Sequence, residues 1–277
     1  MLLKLITLLS ALFAAGICAL ADGFHGLGWL WMLPLGFIGG FLLCLIACVL
    51  AVWIPSLSID PEKVEDRDDP YVRTIVKLYA PAVFQLLGCK IETTGTEKLP
   101  KDGRFMLVCN HTSNFDPGIP LAVFPDAQLA FISKKENLQL PIIGKMMLKI
   151  QCQLLDREND RAALKTILKC ISILREDKAS IGVFPEGGIV KDGFLLHHFR
   201  PGVFKIAQKA NVPIVVCSLR GTRQIASNLK KLRRTTVHFH LLEVIPAQEL
   251  KGVSTVDIAD RVHAIMAADL GAENVAN

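Results

Sequence analysis

Charge is scarcest at the start of this chain: Lys4 is the only charged residue before Asp22, and no other charge appears until Asp60. A stretch so poor in charge cannot form the surface of an ordinary soluble domain, and it explains a mean hydropathy of +0.40 that is high for a soluble enzyme. Cysteine spacing that would carry chemistry is also missing. Cys18, Cys44, Cys48, Cys89, Cys109, Cys152, Cys170 and Cys217 are scattered, with no CxxC pair and no zinc-ligand spacing. A zinc ribbon and a thioredoxin-like redox motif are thereby excluded, and the thiols read as small buried hydrophobes in a reducing compartment. There is no internal repeat or low-complexity tract, and no basic cluster interleaved with aromatics, so nucleic acid is not an expected partner.

The charge-poor region contains two apolar segments. The second, 33–53, holds some twenty apolar residues, a length that spans a hydrocarbon core of about 30 Å as a helix. The first, 5–21, is shorter and fits either a membrane helix or a signal peptide, with Lys4 as the basic end and Ala19-Leu20-Ala21 as a cleavage site. Trp29 and Trp31 lie between them and suit a membrane interface. Pro34, Gly36, Gly39 and Gly40 also leave open a hairpin that dips into one leaflet. Lys63, Arg67, Arg73 and Lys77 follow the second segment closely, so the positive-inside tendency puts the rest of the chain in the cytoplasm.

Three regions are expected: a membrane anchor over 1–55, an acidic, proline-bounded linker over 56–70, and a globular domain over 71–277. The formal net charge of +5 is unchanged when Lys4 and Asp22 are set aside, so the later regions carry it. Basic charge beside a bilayer favours anionic lipid surfaces or phosphorylated substrates. From Tyr71 to Leu87 the periodicity predicts an amphipathic helix with Arg73 and Lys77 on its polar side, packed at the membrane-facing edge of the domain.

Short apolar runs then alternate with helical stretches. Strands are expected near 89–94, 104–109, 130–133, 151–155, 180–184, 213–219 and 235–245, and helices at 141–148, 161–174, 202–209 and 256–270. This alternation predicts an α/β domain with a mostly parallel sheet flanked by helices, preceded by the N-terminal hydrophobic helical hairpin.

Asn110-His111-Thr112-Ser113-Asn114-Phe115-Asp116 follows the apolar run Phe105 to Cys109, so a strand delivers a histidine and an aspartate into one loop. Imidazole is the side chain best suited to take a proton near neutral pH, and a carboxylate on its other nitrogen fixes its tautomer. The same residue types also make ordinary turns and caps. Phe184-Pro185-Glu186-Gly187-Gly188 follows another strand, at the sheet end where α/β proteins bind ligands. Arg157 and Lys134 each leave a strand in the same manner, the first suited to a bidentate grip on phosphate and the second to a point-charge contact. His197 and His198 share a loop with Arg200, while His238 and His240 share a strand face with no third metal ligand apparent, so no metal site is expected.

Together these residues resemble the glycerolipid acyltransferase family of the 1-acylglycerol-3-phosphate acyltransferase kind, over 87–222. Asn110 to Asp116 looks like the family's H-x4-D block, Leu155-Asp156-Arg157 its second, Phe184-Pro185-Glu186-Gly187 its third and Val212 to Val216 its fourth. The resemblance implies acyl transfer from acyl-CoA or acyl-carrier protein to the free hydroxyl of 1-acylglycerol-3-phosphate, a lysophospholipid, giving phosphatidic acid, with no cofactor beyond the donor. It implies His111 and Asp116 as the catalytic pair, and Asn110, Ser113, Lys134, Arg157, Glu186 and Gly187 at the substrate. Its setting would be the cell membrane, with the catalytic domain on the cytoplasmic side. One departure stands out: many family members follow the third block's Glu-Gly with Thr-Arg-Ser, whereas this chain has Gly188-Ile189-Val190. That leaves open another lysophospholipid, a phosphate-free acceptor, or a non-catalytic lipid-binding protein on the same scaffold.

Overall fold

The structure is a computed structural model that describes residues 1–61, 63, 67–156 and 160–276. Glu62, Glu65 and Asp66 of the acidic linker and Arg157 of the second block lie outside the described residues. The chain divides into two compact units, Met1–Asp60 and Pro61–Asn277.

In the first unit, α1 (Leu2–Leu20) and α2 (Trp29–Leu57) form an antiparallel hairpin. Both helices are long and apolar enough to cross a membrane, by length and composition. The helices extend beyond the segments expected from hydropathy, and α2 runs through Pro34 and Pro55. Ser10, Ala14 and Cys18, one turn apart, form the buried stripe of α1, and Gly36 and Gly40 that of α2. The approach is close: a Cβ on Gly36 would lie 2.9 Å from Ala14 Cα, and one on Gly40 would lie 3.1 Å from Ser10 Cα. Small residues four apart let two backbones pack where lipid supplies no hydrophobic drive.

The second unit begins with α3 (Pro70–Leu86), whose start is fixed by Asp69. Its carboxylate accepts from the N–H groups of Tyr71 and Val72, and Pro70 occupies the first turn. Arg73 departs from the expected polar face. It is buried, its guanidinium paired in a fork with Asp68 at 2.7 and 2.8 Å, and it donates to the carbonyls of Leu129 and Ile150. Helical periodicity assigns a charge to solvent by default; here four acceptor contacts offset its desolvation.

The described residues contain seven strands in one sheet: β1 (Cys89–Thr94), β2 (Met106–Val108), β3 (Leu129–Lys134), β4 (Gln153–Leu155), β5 (Ser180–Val183), β6 (Ile214–Arg220) and β7 (Thr235–Ile245). Their spatial order is β1-β7-β6-β2-β5-β3-β4. Every pairing is parallel except β6 with β7. The central strands β2, β5 and β6 are buried almost throughout, as continuous apolar runs of a sheet covered on both faces must be. Between the strands lie α4 (Gly118–Val123), α5 (Ile143–Lys149), α6 (Asp160–Arg175), α7 (Lys205–Ala210) and α8 (Ile225–Lys230), with α9 (Thr255–Leu270) closing the chain and Ser254 capping its start. Because β2, β3, β4, β5 and β6 are mutually parallel, Lys134 at the end of β3 and the loops holding His111, Glu186 and Thr222 all lie at one edge of the sheet.

Candidate active site

The loop after β2 is organised by one carboxylate. Asp116 is fully buried, and its Oδ2 accepts from His111 Nδ1 at 3.0 Å, from Thr112 N–H at 2.6 Å and from Ser113 N–H at 2.7 Å. Its Oδ1 accepts from the Thr222 hydroxyl, which reaches in from the turn after β6. Four donors on one anion fix the carboxylate in position and hold His111 as the tautomer with its proton on Nδ1. The lone pair therefore sits on Nε2, and the side chain keeps 17% of its surface exposed. The imidazole also stacks on Phe184 at 4.3 Å between centroids, and Phe184 in turn lies parallel to Phe131 of β3. Hydrogen bond and stack together leave the ring little rotational freedom.

Asn110 has a different task from the substrate contact suggested by sequence. It is fully buried, donating to the carbonyls of Leu195 and Leu219 at 3.0 Å each and accepting from Leu219 N–H at 2.7 Å. Its amide has nothing left to offer a ligand; it ties the ends of β2 and β6 to the loop behind the site. Ser113 contributes its backbone N–H to Asp116, and its hydroxyl accepts from Phe115 N–H at 3.3 Å, so it shapes the turn.

Glu186 also departs from its expected contact with the acceptor. Its side chain is fully buried: Oε1 accepts from the His111 N–H at 2.9 Å, and Oε2 lies 3.3 Å from His197 Nδ1. Burial, reinforced by the Asp116 charge, pushes its carboxyl up to about 8 against the opposing effect of the His111 N–H bond. His197 in turn meets Asp192 through Nε2 at 2.9 Å. Gly187 makes the turn that aims Glu186, at φ +79, a conformation that favours glycine. Lys134 ends β3 on the same sheet edge and is exposed, without a contact to the His111–Asp116 pair.

Thr222 and His197 complete the cluster; the sequence marks His197 only as a loop histidine near Arg200 and gives Thr222 no role. Both lie in segments leaving the sheet's C-terminal edge, the one signal that could have singled them out. His238 and His240 are occupied by Glu92 and Asp269 respectively. Among the described residues, no group of three His, Cys, Asp or Glu side chains is arranged to hold a metal ion, and the cysteines form no disulfide.

An imidazole backed by a buried carboxylate at the C-terminal edge of an α/β sheet has the arrangement that a general base requires. Comparison with known proteins places that site in a family. The Acyltransferase family profile matches residues 90–220. A chloroplastic 1-acyl-sn-glycerol-3-phosphate acyltransferase of Arabidopsis thaliana is 32% identical over 192 residues, 67% of this chain and 52% of that protein. A probable 1-acyl-sn-glycerol-3-phosphate acyltransferase of Mycoplasma pneumoniae is 30% identical over 203 residues, 70% of this chain and 75% of that one. The chain thus spans about half the plant relative and three quarters of the mycoplasmal one. The crystal structure of the 1-acyl-sn-glycerophosphate acyltransferase PlsC from Thermotoga maritima has the same fold, with a TM-score of 0.60 and 24% identity over 96% of this chain and 95% of that one. The chain belongs to the Acyltransferase family.

Proposed function

We propose that the protein is a membrane-bound O-acyltransferase that moves a fatty acyl group from acyl-CoA or acyl-carrier protein to the free hydroxyl of 1-acylglycerol-3-phosphate, giving phosphatidic acid. The observation that carries this reading is the His111–Asp116 pair, with its tautomer fixed and Nε2 left as the base. His111 Nε2 takes the proton of the acceptor hydroxyl as that oxygen bonds to the thioester carbonyl carbon. Collapse breaks the C–S bond, and the imidazolium returns the proton to the departing thiolate. No acyl-enzyme forms, because the attacking oxygen belongs to the acceptor. Asp116 stabilises the transient imidazolium, and Glu186 holds the His111 backbone. A positioned base contributes typically 10²- to 10⁴-fold, and substrate positioning and oxyanion stabilisation supply the remainder.

The two apolar helices support membrane association, and a one-chain lipid acceptor partitions into a bilayer while a thioester donor arrives from water. Lysines and arginines following the second helix favour a cytoplasmic catalytic domain. The test supplies purified full-length protein with oleoyl-CoA and a panel of acceptors. Transfer to 1-acylglycerol-3-phosphate, lost in His111→Ala, is expected; preference for an acceptor without phosphate overturns the assignment, and undiminished transfer by His111→Ala overturns the base.

A further inference from the structure

Arg200 is a cation against the Glu186-Gly187 turn that the reaction above does not use. Its backbone N–H donates to Pro185 O at 2.9 Å, drawing it back against the Pro185-Glu186-Gly187 turn. There its side chain lies directly over Gly187: a Cβ on Gly187 would stand 2.5 Å from Arg200 Nε, 3.0 Å from Cδ and 3.1 Å from Cζ. Only a residue without a side chain leaves that space to a guanidinium. Arg73, Arg104 and Arg261 are each paired with a carboxylate. Arg200 is exposed and, among the described residues, makes no ion pair.

Its surroundings do not neutralise it. Asp116 is committed to four donors, and Asp192 to His197 and the Phe194 N–H. Glu186 is buried and engaged at both oxygens. A second guanidinium, Arg223, follows Thr222 and donates to Phe194 O at 2.7 Å, close enough for its charge to act on Glu186. Two guanidinium groups thus border the Pro185-Glu186-Gly187 turn and its neighbour Phe194. The turn supplies no cation of its own at positions 188–190. A guanidinium laid against the Gly187 turn, open to solvent and in no ion pair among the described residues, offers forked donors suited to phosphate oxygens.

We propose that Arg200 binds the phosphate group of the acyl acceptor, donating guanidinium N–H groups to its oxygens and so holding the acceptor beside His111. This rests on the acyl-transfer reading and specifies which residue recognises the acceptor's headgroup.

The experiment measures initial rates of the full chain in detergent micelles with oleoyl-CoA, comparing 1-acylglycerol-3-phosphate with 1-acylglycerol of the same chain length. Where 1-acylglycerol is not turned over, its inhibition constant against the phosphate-bearing acceptor is read in its place. Arg200→Gln should reduce the preference for the phosphate-bearing acceptor about 10- to 100-fold, mainly through KM, with Arg200→Lys recovering part of it, as expected for loss of a charge-assisted contact. An equal loss on both acceptors would mark a structural role, and an unchanged preference would mean that Arg200 does not touch the headgroup. A rise confined to the KM for oleoyl-CoA would assign the guanidinium to a donor phosphate. Any of these three overturns the proposal. If the wild type transfers to no acceptor, the acyl-transfer reading itself fails, and this inference with it.

Discussion

Replacing Asp116 by asparagine removes one charge while keeping nearly every contact. The asparagine oxygen can still accept from His111 Nδ1 and from the N–H groups of Thr112 and Ser113, as Oδ2 does now. Its NH₂ would face Thr222, whose hydroxyl also lies 3.2 Å from Thr112 Oγ1 and can turn to accept. What is lost is the attraction between the carboxylate and the imidazolium formed during transfer. At a charge separation of about 4 Å and an effective dielectric constant of about 20, that attraction is about 4 kcal/mol, or roughly 10³-fold in rate at about 1.4 kcal/mol per factor of ten. Asp116→Asn should therefore lower kcat by about 10³, leaving the KM for acceptor within about threefold, because the loss arises as charge develops. The assay is steady-state transfer from oleoyl-CoA, run also on His111→Ala and on the double variant. With the imidazole gone the carboxylate has no imidazolium to support, so Asp116→Asn should cost almost nothing further in the His111→Ala background. Two independent, multiplying losses would refute the argument, as would an Asp116→Asn enzyme retaining a third of its activity.

Three other outcomes follow from the structure. Because Glu186 is raised from 4.5 to about 8, the folded protein holds a proton that the unfolded chain has lost, so stability should fall as pH rises through that window and level off above it. The total is on the order of a few kcal/mol, and Glu186→Gln, which mimics the protonated acid, should flatten the decline in thermal midpoint between pH 5 and 8; an unchanged slope would mean that Glu186 is not its source. Asn110→Ala leaves the buried Leu219 N–H and two carbonyls without partners, which should cost about 2–4 kcal/mol and lower the thermal midpoint by roughly 5–15 °C. In the hairpin, Gly36→Leu would drive a side chain into the Ala14 backbone, whereas Gly39 has nothing within 4 Å. Gly36→Leu should therefore separate α1 from α2, seen as lost disulfide cross-linking between cysteines placed across the two helices in a cysteine-depleted chain, while Gly39→Leu should not.

The elements of this fold were legible because their signals are local. Period-two and period-3.6 apolar patterns are written into consecutive residues, and the seven strands lie where those patterns stop and start. Strand order was not legible: nothing in the run Thr235–Ile245 says that it pairs with Cys89–Thr94 on one side and antiparallel to Ile214–Arg220 on the other. The helices α4 and α8 are too short for their periodicity to stand out, whereas the equally short α7 is lengthened by the helical turn Pro201–Phe204 that runs into it. At the site, residue type marked the chemistry of His111 and Asp116, but direction is a tertiary property. Asn110 and Glu186 could have faced a ligand; they face the protein, because the carbonyls of Leu195 and Leu219 and the His111 N–H converge on them. Arg73 misleads for the same reason, since its acceptors at Leu129 and Ile150 are distant in sequence.

The reach of two residue pairs has a consequence for how the His111 loop is assembled. Thr222 meets Asp116 across 106 positions, and Asn110 meets Leu219 across 109. Contacts between residues so far apart form late, because the intervening chain must first be ordered. A nascent or partly folded domain ending before β6 therefore carries the His111 loop without two of the anchors that organise it. The arrangement around His111 is therefore complete only once β6 and the turn after it are in place. In this domain the geometry of the His111 loop is a property of the whole sheet rather than of its own segment.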